Sequence, residues 1–146
     1  MSELLTHEEY KAIADELTLA STAFVDGGFR KAASGGTFDS IDPATGKLLA
    51  KVAACEAADV DFAVGKAREA FDDGRWRCLH PAERKEVLIK LAKLIRRNRH
   101  ELAVLESLDS GKPVRDCATI DIPETINTLI SVSYTHLTLP TTCSVL

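Results

Sequence analysis

The four cysteines, Cys55, Cys78, Cys117 and Cys143, are the side chains in this sequence best suited to covalent chemistry. A thiolate is a strong nucleophile, but it needs a base or a cation that lowers its pKa; as a metal ligand it needs partners at short spacing. No C-x-x-C pair occurs, which argues against a zinc site and against a small disulfide framework. Cys143, in "TTCSV", has the small hydroxyl neighbours of an accessible nucleophile, yet no base, helix start or oxyanion site accompanies it, so its thiol is expected to keep an ordinary pKa. Cys117 sits beside Arg115 and Asp116, with no histidine near in sequence to take its proton. Cys55 and Cys78 read as small half-buried thiols. The glycine pair Gly27-Gly28 suggests a phosphate cradle, but no helical pattern follows it, and a tight turn is the plainer reading. Asp109, before Ser110-Gly111, is of the type that caps a turn. His7 falls in a lead helix, His80 and His100 flank helix starts as surface residues, and Trp76 is expected to pack under an interhelical loop.

The chain that must position these groups has 146 residues, one domain's worth, and 45% hydrophobic with 27% charged residues suits a globular fold. A net charge of −4 argues against nucleic acid and against an anionic membrane surface as partners, since both require a basic excess. The acid-rich first twenty residues lack a secretory pattern, and no apolar run approaches the roughly 20 residues that span a bilayer. A reducing, cytoplasmic location is the expectation.

Thr6 and Glu9 have capping-box spacing, followed by Tyr10, Ile13, Ala14 and Leu17 at helical intervals, which predicts a helix over 7–20. Asp26-Gly27-Gly28 and Pro43-Ala44-Thr45-Gly46 each separate two short β-favouring runs, predicting two hairpins. The period then changes to 3.6. Val60, Ala63, Val64, Ala67 and Phe71 form one apolar stripe that stops at Gly74; Val87, Leu88, Leu91, Ala92, Leu94 and Ile95 form a second after Pro81. The basic face of that second helix, interleaved with Glu83 and Glu86, reads as solvated surface. Asn98 is placed to cap a third helix that breaks at "SGKP", and a fourth begins after Pro113, with Asp121 as a cap for its continuation.

These elements in this order, with "FVDGGF", "TFDSIDPATGKLLAKVAA", "DVDFAVGKAREAFDDGRW" and "PAERKEVLIKLAKLIRRNRHELAVLESLDSGKPV", resemble the amino-terminal segment of the aldehyde dehydrogenase superfamily. The resemblance covers about residues 20 to 130, the opening quarter or so of such an enzyme, and "DIPETINTL" leans toward members that oxidise aminoaldehydes, such as γ-glutamyl-γ-aminobutyraldehyde dehydrogenases. It implies an α/β fold: hairpins followed by about four helices of the NAD-binding domain, with the Rossmann sheet missing. The organisation expected is a lead-in at 1–21, the dehydrogenase segment at 22–130 and a foreign tail at 131–146.

The resemblance also implies a reaction. In the family a cysteine thiolate adds to an aldehyde to give a thiohemiacetal, hydride passes to NAD or NADP, and a glutamate-activated water hydrolyses the thioester to a carboxylic acid. The catalytic cysteine, the glutamate and the dinucleotide loop lie later in such enzymes, and no G-x-G-x-x-G occurs here, so the fragment alone is expected to be inactive. The full-length protein would take a small-molecule aldehyde and form a homo-oligomer. Several members bind K⁺ or Na⁺ near the start of the NAD-binding domain; the matching positions are the main-chain carbonyls of Ser40 and Ile41 and the carboxylate of Asp109. Hard cations favour such oxygen ligands.

From Ser131 the composition changes. "SVSYTHLTLPTT" is rich in β-branched and hydroxyl residues, holds no Asp, Glu, Lys or Arg, and is not expected to complete an amphipathic helix. Residues 132–141, "VSYTHLTLPT", resemble one reading frame of a transposase-type sequencing adapter. Two other readings remain: a small helical protein-interaction module without catalysis, and a thiol protein built on Cys117.

Overall fold

The computed structural model describes residues 4–138, with side chains to residue 134. Helix α1 (His7–Glu16) opens on a capping box: the Glu9 amide donates to the Thr6 hydroxyl, and the Glu9 carboxylate accepts from the Thr6 amide at 2.8 Å. It stops at Glu16, short of the 20 expected, because Leu17 turns to extended backbone.

Two antiparallel hairpins follow. Strands β1 (Ala23–Val25) and β2 (Gly28–Arg30) join through Asp26 and Gly27, both at positive φ, 55° and 76°, the conformation a two-residue turn requires. Strands β3 (Thr37–Ile41) and β4 (Leu48–Ala53) pair from Thr37 opposite Ala53 to Ile41 opposite Leu48, with a bulge between Ser40 and Ile41. The turn between them folds around Asp42. Its carboxylate accepts from the Ala44 amide at 2.8 Å and from the Thr45 hydroxyl, and these bonds, the hydroxyl foremost, hold its pKa below the ordinary value.

Helix α2 (Ala57–Asp72) follows the second hairpin, and at its start the Asp59 carboxylate accepts from the amides of Glu56 and, across 26 residues, Ala33. It contains no buried residue, and its stripe of Val60, Val64 and Phe71 faces outward, each at least half exposed. Helix α3 (Pro81–Arg97) has proline in its first turn and His80 as N-cap, its Nδ1 accepting from the Ala82 amide. Helix α4 (Arg99–Ser110) ends at Gly111, left-handed at φ 73°. A three-residue turn, α5 (Val114–Asp116), leads into a π-helical segment, Cys117–Asp121, and then into α6 (Ile122–Thr138).

The core lies among these later helices. Ala103 and Cys117 are fully buried, joined by Val104, Ala118 and Ile126, and α6 lies along α3 with Ala92 and Ser133 enclosed. Small side chains at those positions allow the helices to approach closely. The helix continues through 131–138 against expectation. Ser133 Oγ donates within the helix to the Ile130 carbonyl at 2.6 Å, and the Tyr134 ring rests under the Lys85 ammonium of α3, 3.8 Å from its centre. Packing against α3 outweighs the weak helix propensity of the segment. Asp121 lies within the π-helical segment instead of capping a helix, and its carboxylate takes Lys112 Nζ at 2.6 Å. Cys55 and Cys78, expected to be half-buried, are exposed.

Candidate cation site between a hairpin and a helix end

Two segments 69 residues apart meet where β3 reaches the end of α4. Ser40 Oγ donates to Asp109 Oδ1 at 3.2 Å. The bulge beside Ser40 re-aims the end of β3 toward α4, as bulges commonly do near sites. The contact is fixed from a second side: Gly111 packs on Pro43 so closely that a Cβ there would stand 2.8 Å from Pro43 Cγ. Only glycine fits both the left-handed backbone and that approach.

The electrostatics of the place favour a cation. Asp109 sits in the last turn of α4, where the carbonyl end of the helix dipole is negative, and the two effects reinforce each other. Ser40 and Asp109 both line a hollow of about 140 Å³, closed on its apolar sides by Leu19, Leu49, Val52, Leu105 and Leu108. The structure thus brings together two of the three residues singled out from the sequence. Ile41 is the next residue of β3, across the bulge, with its side chain exposed. Sequence reasoning missed the lead segment, whose Leu19 and Ala20 form one wall, and the Ser40 hydroxyl, the atom that reaches Asp109.

No other constellation among the described residues has the makings of a catalytic centre. The Cys117 thiol is fully buried; desolvation first, then Asp121 and Glu106, pushes its pKa up, the opposite of an activated nucleophile. Lys112, the cation that acts on this thiol, is engaged by Asp121, which raises the lysine pKa. No group of three or more His, Cys, Asp and Glu side chains among the described residues is placed to hold a metal ion. Among the described residues neither hairpin leads into a helix through a glycine-rich phosphate loop. Cys143 lies outside the described residues.

Comparison with known proteins gives these elements a context. Residues 29–138 match the aldehyde dehydrogenase family. An aminoacetaldehyde dehydrogenase of Pseudomonas aeruginosa is 62% identical over 129 residues, 88% of this chain and 26% of that protein. The solved structure of the P. syringae indole-3-acetaldehyde dehydrogenase AldA, in complex with NAD+, superposes with a TM-score of 0.90 at 45% identity, covering 93% of this chain and 28% of that one. A γ-glutamyl-γ-aminobutyraldehyde dehydrogenase from Burkholderia cenocepacia gives 0.90 at 41% identity, over 92% and 27%. The chain therefore spans about a quarter of the length of the relatives it matches.

Proposed function

Because this chain belongs to the aldehyde dehydrogenase family, we propose that it is the amino-terminal quarter of an NAD(P)-dependent enzyme that oxidises a small aminoaldehyde to the amino acid. The observation that carries the reading is the match of residues 29–138 together with the overlay of 93% of the chain on the 45%-identical P. syringae structure. The aminoaldehyde preference rests on the names of the 62%-identical Pseudomonas protein and the Burkholderia structure. In this reading the chain contributes scaffold, not chemistry; the nucleophile, the hydrolytic base and the dinucleotide loop belong to sequence beyond it. The test is to assay the complete open reading frame with aminoacetaldehyde and benzaldehyde. Faster turnover of the aminoaldehyde is expected; no NAD(P) reduction with any aldehyde would overturn the reading, as would robust reduction by the 146-residue chain alone.

The same reading assigns the Ser40–Asp109 meeting point to a K⁺ or Na⁺ site, with the carbonyls of Ser40 and Ile41 and the Asp109 carboxylate as ligands from this segment. What supports it is the convergence of β3 with a carboxylate at a helix C-terminus. Melting curves of the full-length protein in K⁺, Na⁺ and tetramethylammonium should differ, and should converge in Asp109→Ala; identical curves for the parent would sink the assignment.

Residues 131–146 are assigned to a non-native junction on their composition. Continuation of α6 to Thr138 is compatible with that origin, because packing of α6 along α3 overrides the weak propensity of the added residues. Amplifying the genomic locus decides it: an uninterrupted natural frame through Ser131 would refute the junction.

A further inference from the structure

The lead helix is anchored by one aromatic pair. Tyr10, 8% exposed, meets the ring of His100 edge-on from α1, with centroids 6.0 Å apart, at the second residue of α4. The Tyr10 hydroxyl and His100 Nδ1 are both shielded from solvent, and among the described residues neither has a hydrogen-bond partner. A neutral imidazole tolerates this arrangement, since one of its nitrogens needs no acceptor. In the cation both nitrogens are donors, and a charged N–H at Nδ1 would be buried without an acceptor.

The charges around the ring do not compensate. On its own helix His100 stands between Arg99 and Glu101 in the positive first turn of α4, and of these two it is Arg99 that acts on the ring. No charged group of α3 acts on the ring among the described residues, and the Arg96 carbonyl at the end of that helix accepts from the Arg99 guanidinium. From α1 comes Glu9, whose carboxylate is tied into the capping box by the amide and hydroxyl of Thr6. Burial first, then Arg99, lowers the His100 pKa, and Glu9 opposes them more weakly.

We propose that α1 is a pH-gated clasp: it docks on α4 through the Tyr10–His100 contact while the imidazole is neutral, and lets go as His100 takes up a proton. The sign follows from linkage. A histidine disfavoured as a cation in the docked state stabilises docking above its ordinary pKa, and that contribution is lost as pH falls through the docked-state value. Because α1 leads into Leu19 and Ala20, release would also loosen one wall of the hollow at Ser40 and Asp109.

The experiment is hydrogen exchange, expressed as protection factors so that intrinsic rates cancel, on a full-length chimera. In it, residues 4–130 replace the matching segment of the Pseudomonas relative. Between pH 7.5 and 5.5 the amides around Tyr10 should lose at least about twofold in protection, while those around Ala103 hold theirs. His100→Gln should abolish the pH dependence, and Arg99→Gln should move its midpoint to higher pH. Flat protection in the parent, a parallel loss around Ala103, an unchanged pH dependence in His100→Gln or an unmoved midpoint in Arg99→Gln would each overturn the clasp.

Discussion

The later helices and the α2 region are similar in hydrophobic patterning and opposite in what they do with it. From α3 to α6 part of the apolar patterning closes: Ala92, Ala103, Val104, Cys117, Ala118 and Ile126 are buried, as is the polar Ser133, while Val87, Leu91 and Leu94 on α3 stay exposed. On α2 an equally regular stripe, Val60, Val64 and Phe71, stays at least half exposed, with the Arg68 and Arg77 guanidinium groups over the Phe71 ring. The first hairpin shares that condition, with Phe24 and Phe29 stacked edge-on at 5.1 Å on an exposed face. What ties this hairpin to α2 is polar: the Arg30 guanidinium 3.8 Å above the Phe62 ring, and Lys66 Nζ 3.7 Å from Asp26. Such exposed contacts contribute about 1 kcal/mol or less each. One region carries a core of its own, and the other carries an apolar face that, in the proposed reading, the remainder of an aldehyde dehydrogenase chain would cover.

That contrast is broken most sharply by mutation. Ala103→Leu forces a larger side chain into a fully enclosed position and should cost roughly 1–3 kcal/mol. Val64→Ser on the exposed stripe should stay within about 0.5 kcal/mol in the 146-residue chain and cost more in the full-length protein. Chemical denaturation of both variants in both contexts reads the difference, and equal losses for Val64→Ser in the two contexts would contradict it. Gly111→Ala comes next. Its left-handed backbone and the Pro43 contact together should cost about 1–2 kcal/mol and separate β3 from α4, visible as loss of the cation response. Thr6→Ala removes half of a capping box and should cost about 1 kcal/mol, confined to fraying of α1 by circular dichroism or exchange.

The smallest effect expected is an acid sensitivity of the β3–β4 turn. Bonds from the Thr45 hydroxyl and Ala44 amide favour the ionised Asp42 carboxylate, lowering its folded pKa. Its contribution is therefore complete above the ordinary aspartate pKa and fades as pH falls through the lowered one. Asp42→Asn should flatten the acid limb of the turn's amide protection; an unaltered limb would show that other carboxylates govern it.

Much of this architecture was legible from residue types. Asp26-Gly27 and Pro43 to Gly46 announced the hairpins, because positive φ and proline leave few alternatives. Pro81 and Gly111 marked helix ends for equally local reasons. Features set by packing were not legible. The π-helical segment at Cys117–Asp121 has no local signature, and the helical state of 131–138 contradicts the propensity of its residues because α3 supplies the missing free energy. His100 was expected at the surface and is partly enclosed by Tyr10, a neighbour 90 residues away. The candidate site divides the same way. Ser40, Ile41 and Asp109 came from a family resemblance, while no periodicity in the sequence could announce that Ser40 Oγ would reach Asp109 across 69 residues.

The account turns on whether α2 lacks a partner that the later helices do not need, and amide exchange on the purified 146-residue chain reads this directly. Amides of α4 and the first turns of α6 should be protected well above those of α2, and α2 should gain protection when the same segment is part of the full-length protein. Equal protection of α2 and α4 in the isolated chain, unchanged on completion, would contradict it.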